Sequence, residues 1–146
     1  MDSATANQAL VRRLFEEWIN KKNLAVIDDM VTANYVSHEG GVNSSAAETK
    51  VFLAAAFAGF PDMQVTIEDM VACGDKVVVR NTWCGTHRGP FLGVAATGKP
   101  IRCEGIVIWR IEGGKLAERW ATIDYLGLMQ QLGSVSIPPA RTVAST

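Results

Sequence analysis

The chain reads as an α+β protein in which helices come first and a curved antiparallel sheet follows, wrapped around them. Two observations carry that reading. In the first third, Leu10, Val11, Leu14, Phe15, Trp18 and Ile19 recur at the spacing of one helical face. From Gln64 onward the apolar period falls to two, and the turn signals Gly74-Asp75 and Gly113-Gly114 punctuate segments rich in Val, Ile, Thr and Trp. Helices followed by a strand meander define the α+β class. A sheet curved around helices leaves an apolar cavity between them, of the kind that holds small organic ligands.

Each element has its own local signal. Thr5 and Gln8 form a candidate capping box ahead of the first helix. A shorter helix follows Asn23 and carries Leu24, Ile27, Met30 and Val31. Residues Asn34 to His38 look extended and run into a Gly40-Gly41 turn. Ser45 and Glu48 form a second capping box, opening a helix through Phe52, Leu53, Ala56 and Phe57 that Pro61 stops. Strands are expected from Gln64, over Lys76 to Thr86, over Ile101 to Ile111, and over Lys115 to Asp124. A glycine-punctuated loop from Gly85 to Pro100 joins the second to the third, and Leu126 to Leu132 has a short helical pattern. Residues 1–133 read as one domain and residues 134–146, with Pro138-Pro139, as a flexible tail.

Composition narrows the function. The chain has 146 residues, 48% of them hydrophobic and 20% charged, which fits a folded protein with a buried core. A net charge of −1 gives no electrostatic reason to expect nucleic acid or an anionic membrane as partner. The first residues lack the basic and apolar regions of a signal peptide, and the apolar run Val51 to Phe60 is too short to cross a bilayer. Cys73, Cys84 and Cys103, an odd number without Cys-x-x-Cys spacing, point to reduced, mostly buried thiols and a cytoplasmic chain. Gly93 to Lys99 has the spacing of a phosphate loop, but Pro100 replaces the required Ser or Thr and a strand follows instead of a helix. No His-x-His or His-x-x-x-His pair gathers metal ligands. Neither a metal nor an organic cofactor is expected.

The last strand is the most promising place for chemistry. Alternation puts Leu116, Glu118, Trp120, Thr122 and Asp124 on one face and Lys115, Ala117, Arg119, Ala121 and Ile123 on the other. If the first face looks inward, Asp124 lies beyond an aromatic and a hydroxyl. Partial desolvation there would raise its pKa toward a useful range for proton transfer. The same residue also suits the N-cap of the helix starting at Tyr125, and the two roles are compatible. His87 at a strand end faces the cavity mouth or bonds its own loop, and His38 faces that mouth or braces the Gly40-Gly41 turn; with Asp124 they form the expected catalytic set, either histidine being an alternative to Asp124 for protonating an alkoxide. Glu104 is either a second proton-transfer group or a partner for Arg102 or Arg80. Trp83, Trp109 and Trp120 wall the cavity or simply fill the core. Tyr35 is a candidate donor to an oxyanion. Tyr35, Glu104, Trp120, Trp83 and Phe91 together form the expected substrate-binding set.

A family resemblance rests on a series of short pieces: Asn34 to His38, Phe60-Pro61-Asp62, Gly85 to Gly93, Thr97-Gly98, Arg110 to Lys115, Glu118 to Trp120, Asp124, and Gln131 to Gly133. In that order, and from about Leu10 to Gly133, the chain resembles the SnoaL-like polyketide cyclases of the nuclear-transport-factor-2-like superfamily. The resemblance implies a cone-shaped α+β fold and a cofactor-free intramolecular aldol condensation, with Asp124 at the position of the acid/base aspartate. The chemistry is reasonable without a metal, because a proton flanked by carbonyls is acidic enough for a carboxylate to remove. Two other classes share the scaffold. One is a hydrolase or isomerase, such as the epoxide hydrolases with their Asp-Arg-Asp array, which is not evident here. The other is a binding protein without turnover. The resemblance, together with apolar residues on both faces of the last two strands, implies a homodimer, or a homotetramer built from two of them.

Overall fold

The first apolar stripe folds into α1 (Ser3–Leu14) and continues as a π-helical turn over Phe15–Asn20, burying Val11, Leu14, Phe15, Trp18 and Ile19. The computed structural model describes residues 2–136. Asp2, not the expected Thr5–Gln8 pair, caps α1, its carboxylate accepting from the Thr5 backbone N–H at 2.7 Å. Thr5 already lies within the first turn, where its own N–H is one of those needing a partner. A 3-10 turn (Leu24–Val26) leads into α2 (Ile27–Met30), and Val31 opens β1 (Val31–Glu39) instead of ending a helix. Gly40 and Gly41, at φ +59° and +79°, then turn the chain into β2 (Val42–Ser44).

The Ser45–Glu48 capping box forms as expected at the start of α3 (Ala46–Gly59), with both reciprocal hydrogen bonds made. The remaining strands are β3 (Gln64–Cys73), β4 (Lys76–Thr86), β5 (Pro100–Glu112) and β6 (Lys115–Ile123), followed by α4 (Tyr125–Leu132). All six strands join one sheet in the order β2-β1-β6-β5-β4-β3.

That sheet is mixed, which corrects the wholly antiparallel expectation: β1 lies parallel to β6. Strands β3 to β6 follow one another in sequence and run antiparallel, β3–β4 and β5–β6 through tight turns and β4–β5 through the long loop over residues 87–99. No hairpin ties β1 to β6, so nothing local dictates the direction in which they pair.

A bulge decides which side chains reach the interior. Arg110 pairs with Glu118 but Ile111 pairs with Leu116, so Ala117 is left as an extra residue on β6. The side-chain alternation therefore resets. Leu116 points inward, yet from Glu118 onward the inward residues are Arg119, Ala121 and Ile123, opposite Trp109, Val107 and Gly105 of β5. On β5 itself Ile101, Cys103, Val107, Trp109 and Ile111 are buried, while Ile106 on the reverse face is 53% exposed. Cys103 is buried, but Cys73 beside the β3–β4 turn and Cys84 on the reverse face of β4 are exposed. This corrects the expectation of mostly buried thiols. Most of the predicted tail, from residue 137, lies outside the described residues.

Candidate active site

The inner face of the curved sheet does not pack fully against α1 and α3. A cavity of about 510 Å³ remains between them, within the ~300–1,000 Å³ range of small-molecule sites. Its walls are mostly apolar, with Phe15 and Trp18 from the first helical segment, Leu53 and Ala56 from α3, and Val107 from β5. Trp109 packs edge-on against Trp18 and Phe15, with ring centroids 5.9 and 6.5 Å apart.

One polar strip crosses this surface. Ser37 on β1 pairs in register with Arg119 on β6, and Arg119 with Trp109 on β5, so the three share a row across the sheet. The Arg119 guanidinium donates from Nη1 to Ser37 Oγ at 2.8 Å and from Nη2 to Glu39 Oε1 at 2.9 Å, and lies 5.6 Å from the Trp109 ring centre. The other carboxylate oxygen of Glu39 accepts from the Tyr125 hydroxyl at 2.8 Å. Burial, and secondarily the negative charge of Glu39, push the Tyr125 phenol far above its ordinary pKa, so it stays protonated as a donor. Tyr35 and Trp109 also line the cavity, and their polar atoms, Tyr35 Oη and Trp109 Nε1, are buried without a hydrogen-bond partner. The Cys103 thiol in the same wall is pushed up to about 11, first by burial and then by nearby Asp124, so it is no nucleophile at neutral pH.

The residues expected from sequence are divided by this geometry. Tyr35, Trp83 and Phe91 line the cavity. Asp124 does not: it is exposed, and its carboxylate accepts from the Gly127 N–H at 2.9 Å as the N-cap of α4. The apolar surroundings imagined for it are absent, because the bulge at Ala117 turns Glu118, Trp120 and Thr122 to the reverse face. Trp120 stacks there on His38, centroids 5.6 Å apart, and His38 bonds Glu118 and Asn43 at 2.7 Å each. His38 thus braces the β1–β2 hairpin on the side away from the cavity. Glu104 also lies on the reverse face, 65% exposed and 3.9 Å from Arg102. His87 is fully buried but outside the cavity wall. It stacks on Phe60, and its Nδ1 accepts from the Thr97 N–H, which leaves the ring proton on Nε2.

Alternation alone did not single out Ser37, Glu39, Arg119 or Tyr125. It divided β6 into two faces correctly beyond the bulge, but the carboxylate and tryptophan on one face outweighed the arginine on the other. The available signal was Glu39 together with Arg119, opposite charges on segments otherwise suited to a core. Among the described residues no group of three or more His, Cys, Asp or Glu side chains is placed to hold a metal ion. No helix among them is long and apolar enough to cross a membrane.

Comparison with known proteins agrees with this architecture. The family model described as SnoaL-like polyketide cyclase matches residues 9–132. The chain belongs to that family. Its fold superposes on AclR of Streptomyces galilaeus, provisionally named a hydroxylase, with a TM-score of 0.85 and 27% identity, covering 92% of this chain and 100% of that one. A provisionally named SnoaL-like polyketide cyclase from Jannaschia sp. CCS1 gives 0.84 and 26%, covering 93% and 98%. IdmH of Streptomyces antibioticus, provisionally a polyketide cyclase, gives 0.78 and 26%, covering 87% and 98%. A search of curated proteins returned no match.

Proposed function

We propose that the chain closes a ring in a polyketide-like substrate by an intramolecular aldol reaction, with Glu39 as the acid/base group. The supporting observation is that Glu39 is the one carboxylate on the cavity wall among the described residues, held between Arg119 and Tyr125. Glu39 removes a proton from a carbon flanked by carbonyls, and the electron pair moves onto oxygen as an enolate. Negative charge is thereby transferred from the carboxylate to the substrate, beside the same guanidinium. Arg119 therefore remains compensated and stabilises the enolate without rearranging. The carbanionic carbon attacks a second carbonyl of the same molecule, forming the C–C bond. The resulting alkoxide takes back the proton from the Glu39 carboxylic acid. Tyr125, bonded to the second oxygen, is a positioning residue. The apolar walls hold the chain folded and exclude water that would quench the enolate. Arg119 meets a single carboxylate here, unlike an Asp-Arg-Asp array, which favours cyclisation over epoxide hydrolysis.

The reverse face of the sheet, with Ile106 and Val71 53% and 62% exposed, suits a second copy of the chain, and a homodimer is the assembly proposed.

Proton abstraction is testable before the native substrate is found. Linear poly-β-ketone esters incubated with the protein in deuterated water should exchange their activated C–H groups faster than without it, and form ring products. Glu39→Gln should abolish that acceleration while Asp124→Asn keeps it. The opposite pattern would return the acid/base role to Asp124.

A further inference from the structure

We infer that His38 is a positioning residue for Glu39, clamping from the reverse face of the sheet the short stretch of β1 that carries the proposed base, through a clamp that uses both imidazole N–H groups. The inference rests on Glu39 being the acid/base group, as proposed above. Backbone pairing alone holds Glu39 weakly. The β1–β6 ladder is irregular between Val31 and Val36, so regular pairing is confined to Val36 through Glu39. On its other side β1 meets only the three-residue edge strand β2. A ladder this short beside a sheet edge opens easily unless side chains reinforce it. Two side-chain clamps do so, one on each face. Inside, Arg119 of β6 reaches Ser37 and Glu39 of β1. Outside, His38 of β1 reaches Glu118 of β6 and Asn43 of β2, at 2.7 Å each, and lies against Trp120. Ser37, His38 and Glu39 are consecutive, so a shift of the His38 backbone moves both inner partners of Arg119.

The outer clamp suits an imidazolium. Both His38 contacts are to oxygens, Glu118 Oε2 and Asn43 Oδ1, which accept, so each ring nitrogen carries a proton. The charged groups packed around the ring are Glu118 of β6 and, on the other oxygen of Glu118, Arg110 of β5 at 3.2 Å, itself 3.5 Å from Glu112. Asn43 of β2 is neutral. The bond to Glu118, and next that to Asn43, raises the His38 pKa. The clamp is therefore complete below the ordinary 6.5 of histidine and is lost as pH rises through the higher folded value. Deprotonation leaves the one N–H on the Glu118 carboxylate and turns an Nδ1 lone pair toward Asn43 Oδ1. That contact is repulsive until the amide turns over, and the attraction between imidazolium and carboxylate is gone. The Val36–Glu39 stretch then loosens against β6 and β2, and the Glu39 carboxylate is held less tightly where it meets substrate. A misplacement of about 1 Å at a reacting group lowers rate by as much as ~10².

The test is a titration of the full chain from about pH 5 to about pH 9.5, followed by NMR at the His38 ring and at the Glu39 side-chain carboxyl carbon, assigned through Glu39→Gln. The Glu39 signal should move at the midpoint of the His38 ring, above 6.5, and that movement should vanish in His38→Gln. Deuterium exchange into a saturating linear poly-β-ketone ester, corrected for the uncatalysed rate, should fall by about threefold to tenfold across the same midpoint. A carboxylate base alone gives no such alkaline loss, because it stays ionised there. His38→Gln should exchange at the lower rate at every pH. His38→Arg, which keeps its donors and can stack on Trp120, should hold the higher rate through the alkaline range. A Glu39 signal that ignores the His38 titration, or an alkaline loss unchanged in His38→Gln, overturns the inference. A purely structural histidine would lower stability and move neither readout. The NMR titration needs no turnover, so it decides the positioning role whether or not Glu39 is the base, and the Glu39→Gln exchange result decides the base whether or not His38 positions it.

Discussion

Replacing Glu39 with glutamine separates what this side chain does for stability from what it does for reaction. The change keeps the volume and one carbonyl oxygen but removes the charge. At the ~4 Å between charge centres of a close ion pair, an effective dielectric near 20 gives a gross attraction of about 4 kcal/mol. Desolvation of both groups offsets part of that. Arg119 and Glu39 remain 16 and 21% exposed, and the glutamine oxygen can still accept from Nη2. The net loss of stability should therefore be about 1–2 kcal/mol, below the ~3–5 kcal/mol of breaking a fully buried pair. In a domain of this size that lowers the thermal midpoint by roughly 3–8 °C. Turnover should fall much further, by about 10² to 10⁴, the scale of losing a general acid/base and equivalent to ~2.7–5.5 kcal/mol of barrier. The assay is single-turnover ring closure followed by chromatography and mass spectrometry, beside a urea melt of the same preparation. A variant retaining more than about a tenth of wild-type kcat would refute Glu39 as the base.

Three further outcomes are expected. The His38 pKa is raised, mainly by its bond to Glu118, and that of Glu118 is lowered, mainly by His38. His38 therefore stabilises the fold fully below its ordinary 6.5 and progressively less as pH rises through its higher folded value. Glu118 contributes above its ordinary 4.5 and loses that contribution as pH falls through its lowered value. Urea midpoints should thus be lower at about pH 8.5 than at about pH 6, and His38→Gln should flatten the difference. Asp124→Ala should destabilise the fold by about 1 kcal/mol and Asp124→Asn by little, since asparagine caps equally well. A Cβ at Gly127 would displace the Asp124 carboxylate, so Gly127→Ala should lose the cap but regain about 1 kcal/mol of helix propensity within α4, and in the Asp124→Ala background the same change should stabilise; an equal effect of Gly127→Ala in both backgrounds in urea melts would rule out a shared cap. Sedimentation at micromolar concentration should give a species of twice the 15.8 kDa chain mass, and a monomer alone would contradict the proposed pairing.

Much of the fold was legible from local chemistry. The apolar stripe through Trp18, the Ser45–Glu48 box and the glycine turns act within a few residues, so α1, α3, β4 and the β5–β6 hairpin follow from sequence alone. Tyr35, Trp83 and Phe91 do line the cavity, as the sequence suggested, since large aromatics on these segments face either the core or a cavity. The rest depended on contacts distant in sequence. The parallel pairing of β1 with β6 joins segments about eighty residues apart, and no turn specifies its direction. The extra residue at Ala117 is visible only once Ile111 is seen opposite Leu116. Because side chains on a strand alternate, one added residue exchanges the two faces of everything beyond it. That exchange carried Trp120 and Glu118 to the reverse face and brought Arg119 inward to meet Glu39. Sequence determined most of the strand segments, though not β2 or the start of β1 at Val31; only the tertiary structure decided which polar side chains share the cavity, because a register shift in one strand outweighs every local preference beyond it.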